Sequence, residues 1–187
     1  MIQEKKKALI VVDVQNDFCP GGALAVPRGN EVVRVINHLF GLFRIRIFTI
    51  DWHPENHCSF AEQGGQWPKH CVQNTWGAEL HRDLNLPTNL ITVEKGEDPE
   101  KEAYSPLEGT YLEEFLKEEF GIERVYICGL ATDYCVKATA LDAKKAGFET
   151  FVIIDACRGV NVKRGDARKA IKEMREAGVM IVSLKEL

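Results

Sequence analysis

Hydrophobic residues along the chain fall into six short, nearly continuous runs instead of alternating with polar ones. Each run is seven residues long and rich in Val or Ile. Strands that are covered on both faces by helices show this pattern, whereas strands with one face in water alternate. The runs therefore predict buried β-strands at residues 8–14, 45–51, 89–95, 124–130, 149–155 and 178–184.

Stretches with a helical period separate most of these runs. Between residues 30 and 44, for example, Val33, Ile36 and Phe40 recur on one stripe. Thr132 is positioned to cap the start of a further helix, and Gly147 to end it. The predicted helices cover residues 30–44, 107–121, 132–147 and 164–178.

Strands that alternate with helices predict an α/β fold with a doubly wound, mostly parallel sheet of six strands and helices on both faces. No repeat or linker interrupts residues 1–187, so we expect a single domain. The stretch 52–88 has no regular period and carries all three tryptophans and most of the histidines. Long irregular segments in compact domains are usually functional, so we expect metal- and substrate-binding residues there.

Composition and charge exclude several classes of protein. The net charge is −4 without a basic stripe, which argues against a nucleic-acid partner. No apolar run approaches the roughly 20 residues of a membrane span. The basic, then apolar start is interpreted as the first strand and not as a signal peptide, because it leads directly into Asp13.

Six cysteines without a C-x-x-C pair predict free thiols in the cytoplasm.

Reactive side chains follow four of the predicted strands, at the end where open α/β sheets bind ligands. Asp13, Asp51 and Lys95 end the first three runs, and Cys135 follows the fourth. Three of them have an ordinary alternative: Asp13 as a turn residue, Lys95 as a solvated loop charge, Cys135 as packing in a helix. A parallel sheet would bring all four to one edge, which favours a common chemical role.

The predicted surroundings of Cys135 favour a reactive thiol. If Thr132 caps the helix, Cys135 is its third residue, where the backbone N–H groups and the helix dipole favour a thiolate. A Lys95 ammonium nearby would lower the pKa of the thiol further, and Asp13 could carry its proton. The N–H groups of Ala131 and Cys135 could stabilise an oxyanion. This equipment suits acyl transfer through a thioester.

A candidate metal site lies in and just before the irregular segment. A carboxylate and two imidazoles suit Zn²⁺, Fe²⁺ or Mn²⁺, and they are supplied by Asp51, His53 and His70. His57 is either a further ligand or a residue that orients the loop. A rival structural zinc site would use Cys58 and Cys71, although their spacing matches no zinc-finger pattern.

Five segments resemble the isochorismatase-like cysteine hydrolases and, among them, the nicotinamidase (pyrazinamidase) group. In chain order they are VVDVQNDFCPGGALAV (11–26), DWHPENHCSF (51–60), WPKHCVQNTWGAEL (67–80), VEKGEDPEKEAYS (93–105) and GLATDYCVKATALDA (129–143). Together they span most of the chain. The combination is specific, whereas D-x-Q alone would indicate only the wider family.

The resemblance implies roles for particular residues. The catalytic triad would be Asp13, Lys95 and Cys135, with the oxyanion held by the N–H groups of Ala131 and Cys135. The metal ligands would be Asp51, His53 and His70. A cis peptide would join Leu130 to Ala131. The substrate pocket would be formed by Phe18, Leu24, Trp67, Tyr104 and Leu130, with Phe18 and Trp67 on either side of a flat ring; core packing is the alternative for these two.

The resemblance also implies a reaction, namely hydrolysis of nicotinamide to nicotinate and ammonia in NAD salvage, with pyrazinamide as a second substrate. One divalent metal ion, zinc first and iron or manganese as alternatives, would hold the ring nitrogen. No nucleotide cofactor is expected, because the chain has no glycine-rich phosphate loop. We expect a cytoplasmic protein with no nucleic-acid or membrane partner and with room for a homodimer. Another amidohydrolase of the same fold and a catalytically silent metal-binding or scaffold protein remain alternatives.

Overall fold

The computed structural model describes residues 6–187, and the first five residues of the predicted domain lie outside this range. One sheet contains six strands in the order β3-β2-β1-β4-β5-β6. All neighbouring strands are parallel. The strands are β1 (Lys7–Val12), β2 (Ile45–Asp51), β3 (Ile91–Lys95), β4 (Arg124–Leu130), β5 (Glu149–Arg158) and β6 (Met180–Val182). The predicted doubly wound α/β fold is confirmed.

The order of the strands reverses between β1 and β4. β2 and β3 lie on one side of β1, whereas β5 and β6 lie beyond β4. β1 and β4 pair from Lys7 opposite Arg124 to Val12 opposite Gly129. Open α/β sheets bind ligands in the crevice at the carboxyl end of such a reversal. The residues that follow β1 and β4 therefore lie where a site is expected.

Four helices connect the strands, and each is shorter than its sequence pattern predicts. They are α1 (Glu31–Leu39), α2 (Leu112–Glu114, continued by a π-helical turn over Phe115–Glu119), α3 (Cys135–Lys145) and α4 (Asp166–Glu176). α1 ends early because the chain turns, with the Leu42 N–H donating to the Leu39 carbonyl at 2.8 Å. β5, in contrast, continues to Arg158, past its predicted end at residue 155.

α3 begins at Cys135, so Thr132 does not cap it as predicted. The residues before it form a turn instead, in which the Tyr134 N–H donates to the Ala131 carbonyl at 3.0 Å. At its other end the prediction is confirmed: Gly147 has a left-handed φ of 90° and its N–H donates to the Lys144 carbonyl.

The core lies on both sides of the sheet. Residues 8–12 of β1 are completely buried, as a central strand covered on both faces must be. Close contact between β1 and β4 depends on Gly129, because a Cβ there would lie 2.1 Å from the Val12 carbonyl oxygen. None of the helices found between residues 6 and 187 has the length and apolar character that a membrane span requires.

Candidate active site

Three reactive side chains from different strands meet at the carboxyl edge of the sheet. Asp13 follows β1, Lys95 ends β3, and Cys135 opens α3 after β4. Their exposed fractions are 0%, 2% and 5%. Charged residues are rarely buried to this extent unless they are paired, so their contacts decide what they can do.

The Lys95 ammonium holds this group together. Its Nζ donates hydrogen bonds to Asp51 Oδ1, to the Ala103 carbonyl at 3.2 Å and to Cys135 Sγ at 3.5 Å. Asp13 Oδ2 forms an ion pair with the same nitrogen at 2.9 Å. Burial lowers the pKa of Lys95, but the two carboxylates outweigh it and hold the pKa well above its usual value. Lys95 is therefore a cation.

The carboxylate of Asp13 is oriented as a proton acceptor. Oδ1 accepts a hydrogen bond from the Thr49 hydroxyl at 2.5 Å. Oδ2 is fully buried, and its partner is the Lys95 ammonium at 2.9 Å. A carboxylate oxygen of Asp13 and the sulfur of Cys135 lie within 4.8 Å of each other. Burial raises the pKa of Asp13 and the Lys95 charge lowers it only in part, which suits a group that must take up a proton.

The surroundings of Cys135 differ from the predicted ones. Cys135 is the first residue of its helix and not the third. Burial raises its pKa well above the usual value; Lys95 lowers it, and Asp13 and Asp51 raise it again. This direction favours a protonated thiol in the chain on its own over the predicted resting thiolate, because two carboxylates oppose the charge of Lys95.

Two backbone N–H groups beside the thiol are available to stabilise an oxyanion. Ala131 and Cys135 both line the cavity beside the thiol. Within residues 6–187, neither N–H donates to another backbone group. The peptide between Leu130 and Ala131 is cis, as the resemblance implied. Unpaired N–H donors next to a nucleophile can stabilise the negative oxygen of a tetrahedral intermediate.

The candidate metal ligands also meet. Asp51, His53 and His70 each offer a ligand atom, and these atoms lie within 4.8 Å of one another. Nδ1 of His53 is 2.9 Å from the Gly96 carbonyl, and Nδ1 of His70 is 2.7 Å from the Pro68 carbonyl. A carbonyl oxygen only accepts hydrogen bonds, so each Nδ1 acts as the donor and each Nε2 is the nitrogen that can bind a metal ion. This set fits a divalent ion such as zinc. A Cβ at Gly96 would lie 2.4 Å from the His53 ring, so glycine makes room for it.

His57 has both ring nitrogens occupied. Nδ1 is 2.8 Å from the Ser59 hydroxyl, and Nε2 is 3.1 Å from the Lys101 carbonyl. Its ring stacks on His53 with 4.1 Å between centroids. These contacts favour the alternative in which His57 orients the loop over the alternative in which it is a ligand.

The rival zinc site that would use cysteines finds no support. Within residues 6–187, neither Cys58 nor Cys71 belongs to a group that could hold a metal ion. The thiol of Cys71 instead donates to the Gly77 carbonyl, with 3.9 Å between the atoms.

A cavity of about 340 Å³, its open mouth included, adjoins both groups. Four of the five predicted pocket residues line it. The lining residues are Phe18, Leu24, Asp51, Trp67, His70, Tyr104, Ala131, Tyr134, Cys135 and Val160. Leu130 does not line the cavity, which corrects the prediction: its side chain is fully buried at the end of β4.

Sequence reasoning missed Tyr134 and Val160. The Tyr134 ring packs edge-on against Trp67, with 4.9 Å between centroids. Trp67 in turn donates a hydrogen bond from Nε1 to the Tyr104 hydroxyl at 3.1 Å. Tyr134 could have been found as the neighbour of Cys135. Val160 gave no signal, because β5 continues past its predicted end and carries the chain to the cavity.

This parallel α/β sheet brings a buried cysteine, aspartate and lysine together at its carboxyl edge, an arrangement that suits a hydrolase with a cysteine nucleophile. The Isochorismatase domain model matches residues 7–186, and the chain belongs to this family. The nicotinamidase of Escherichia coli (strain K12) is 42% identical, with 96% of each chain covered. The nicotinamidase of Acinetobacter baylyi is 43% identical, with 100% of this chain and 97% of the relative covered.

Solved structures agree with this assignment. The pyrazinamidase of Pyrococcus horikoshii in complex with zinc superimposes with a TM-score of 0.90 at 49% identity, covering 96% of this chain and 99% of the other. The similarity therefore extends over nearly the whole length of the chain.

Proposed function

We propose that this protein is a metal-dependent amidohydrolase that converts nicotinamide to nicotinate and ammonia. The observation that carries the proposal is the convergence of Cys135, Asp13 and Lys95 on an aromatic cavity beside three candidate metal ligands. Similarity to nicotinamidases supports the substrate. Similarity to a pyrazinamidase supports pyrazinamide as a second substrate. In the cytoplasm this reaction would return nicotinamide to NAD synthesis.

The cavity suits a small, flat, neutral ring. Phe18 and Trp67 offer aromatic faces, and Leu24, Tyr134 and Val160 complete a largely apolar wall. A pyridine ring held here would place its carboxamide next to the Cys135 sulfur. The polar groups that meet the carboxamide are then those that carry the chemistry.

Acylation begins with a proton transfer. Asp13 takes the proton of the Cys135 thiol as the sulfur attacks the carboxamide carbon. The N–H groups of Ala131 and Cys135 stabilise the resulting oxyanion. As the intermediate collapses, the C–N bond breaks and Asp13 gives its proton to the departing nitrogen, so that ammonia leaves. A nicotinoyl thioester on Cys135 remains, and Lys95 keeps its charge throughout.

Deacylation uses the same groups again, with water as the nucleophile. Asp13, again a carboxylate, takes a proton from a water molecule that attacks the thioester carbon. The same N–H groups hold the second oxyanion. The C–S bond then breaks, the proton held by Asp13 returns to the sulfur of Cys135, and nicotinic acid leaves and gives up its remaining proton to ammonia or solvent to become nicotinate. One water is consumed for each ammonia released.

Asp51, His53 and His70 would hold the metal ion, and the zinc-bound relative supports zinc. A bound divalent ion supplies a Lewis acid that can hold the ring nitrogen of the substrate. The protein's own part is to fix the ligand rings: the Gly96 and Pro68 carbonyls orient them through Nδ1.

The test is ammonia and nicotinate release from nicotinamide by the zinc-loaded protein, with a panel of other amides and carbamoyl compounds beside it. Equal amounts of both products support the proposal. No turnover of nicotinamide would end the substrate assignment, and turnover of another panel member would indicate a different amidohydrolase. Added hydroxylamine should trap the acyl group as nicotinohydroxamate, and its absence would exclude the thioester.

A further inference from the structure

Asp17 is a buried carboxylate with no place in the chemistry described above. Its exposed fraction is 8%. Oδ1 accepts a hydrogen bond from the Ala23 N–H at 3.0 Å, and Oδ2 accepts one from the Cys71 N–H at 2.7 Å. These two partners lie 48 residues apart in the chain. One side chain therefore joins two segments that no regular secondary structure connects.

The first segment forms one wall of the cavity. Phe18 follows Asp17 directly, and Leu24 follows Ala23; both line the cavity. The Leu24 N–H also donates to the Asp17 carbonyl at 3.0 Å. The bond to Ala23 therefore closes the loop 17–24 and sets the distance between the two wall residues.

The second segment carries the candidate metal ligands. Cys71 is bonded directly to His70, and its carbonyl accepts the backbone N–H of His53 at 3.0 Å. The backbone of Cys71 is therefore connected to both imidazole ligands, to His70 by a peptide bond and to His53 by a hydrogen bond. Cys71 also has a φ of 46°, a conformation that residues other than glycine rarely adopt. The Asp17 carboxylate holds the N–H of this unusual residue.

The chain makes room for this carboxylate at Gly77. A Cβ at position 77 would lie 2.0 Å from Asp17 Oδ2 and 2.3 Å from its carboxyl carbon. Glycine at this position lets the carboxylate reach the Cys71 N–H. Gly77 and Asp17 are far apart in the sequence, and the missing side chain of one leaves the space that the carboxylate of the other occupies.

We propose that Asp17 is a positioning residue that couples the metal site to the substrate pocket. It fixes the His70 and His53 backbone on one side and the Phe18 wall on the other. The inference rests on the proposed function only for the identity of the substrate. Its effect on metal binding stands independently of any turnover.

The test uses Asp17→Asn with Asp133→Asn as a matched control. An amide keeps one acceptor oxygen but turns its NH₂ toward the other backbone donor, so one bond is lost. Asp133 has the same chemistry: it is buried and accepts the N–H groups of Val160 and Asn161 at 2.8 and 2.7 Å. Val160 lines the cavity, but neither partner adjoins a metal ligand.

We expect Asp17→Asn to weaken zinc binding by about 10- to 100-fold, measured by competition with a chromogenic chelator on folded protein. KM for nicotinamide should rise more than kcat falls at saturating zinc, because the Phe18 wall shifts as well. Asp133→Asn should keep its zinc affinity. Unchanged zinc affinity in Asp17→Asn, or an equal loss in both variants, would overturn the proposal.

Gly77→Ala gives a second test if Asp17→Asn fails to fold. It keeps the carboxylate but displaces it from Cys71, so zinc binding should again weaken. Wild-type zinc affinity in a folded Gly77→Ala protein would overturn the proposal. If the wild-type protein binds zinc but does not hydrolyse nicotinamide, the proposed function fails. The zinc affinities of the variants then still decide whether Asp17 is a positioning residue.

Discussion

Lys95 and Asp51 are register partners at the carboxyl ends of β3 and β2, and the Lys95 ammonium donates a hydrogen bond to the Asp51 carboxylate. Asp51 is also a candidate metal ligand, and Lys95 also donates to the Cys135 sulfur. One buried cation therefore connects the candidate metal site to the nucleophile. A change of charge at the metal ligands or at Cys135 should therefore shift the pKa of the ionisable groups on the other side of Lys95.

Replacing Lys95 with Met would leave the carboxylates of Asp13 and Asp51 buried beside each other without their cation. Because an uncompensated buried charge is costly, we expect the free energy of unfolding to fall by about 3–5 kcal/mol, measured by urea denaturation. Lys145→Met is the control, since it removes only an exposed ion pair with Asp142 and should not change stability measurably. A Lys95→Met protein as stable as wild type would refute the role of Lys95 as counter-charge.

Cys135 should react slowly with iodoacetamide at neutral pH in the metal-free protein. Only the thiolate is nucleophilic, and burial raises the pKa of this thiol. The half-exposed Cys58 should be alkylated first, and the rate at Cys135 should rise with pH. Peptide mass spectrometry at several times measures both rates. If Cys135 reacts faster than Cys58 at neutral pH, it rests as a thiolate after all.

His57→Ala should keep stoichiometric zinc, whereas His53→Ala should lose it. The reason is that both ring nitrogens of His57 already contact Ser59 and Lys101. Because the His57 ring stacks on His53, its loss should still weaken zinc binding, by about tenfold. Metal analysis after dialysis gives the zinc content of each variant. A His57→Ala protein without zinc would mean that His57 is a ligand.

The protein should become less stable above about pH 9. Burial raises the pKa values of the five buried thiols, to about 11 for Cys19, to about 12 for Cys157, and well above the usual value for Cys71, Cys128 and Cys135. The pKa of the partly buried Cys58 is raised as well. Unfolded thiols lose their protons near pH 9.0, while the folded protein retains them. The stabilisation is thus complete below this pH and is lost as the pH rises toward the folded values.

Each of the five buried thiols should lower the free energy of unfolding by about 1.4 kcal/mol per pH unit within that window. Urea denaturation at a series of pH values measures the slope. Cys157→Ser is the matched variant. Its free energy of unfolding should fall less steeply with pH, because the contribution of one thiol is removed. A stability that stays constant across this range would show that the thiols ionise equally in both states.

The strands could be predicted because their sequence pattern depends on burial alone. β1 is apolar from Ala8 to Val12 because helices cover both faces of the sheet. The start of α3 could not be predicted, because it depends on tertiary contacts. Thr132 is a good capping residue, but its N–H donates to the Arg158 carbonyl of β5, and the chain turns before the helix begins.

The residues of the candidate site could be found from their positions at strand ends, but their states could not. The thiolate prediction for Cys135 included Lys95 and omitted the two carboxylates that balance it. The bond from Thr49 to Asp13 joins residues 36 positions apart and leaves no pattern in the sequence. Asp17 was visible only as part of a motif, since its partner Cys71 lies 54 residues away.

The most direct test of the proposed chemistry compares ammonia release from nicotinamide by zinc-loaded wild type and by zinc-loaded Cys135→Ala, after circular dichroism has shown that both are folded. If Cys135 is the nucleophile, the variant should be slower by at least about 10³-fold in kcat/KM. Ammonia release by Cys135→Ala at a rate near that of wild type would contradict the thioester mechanism.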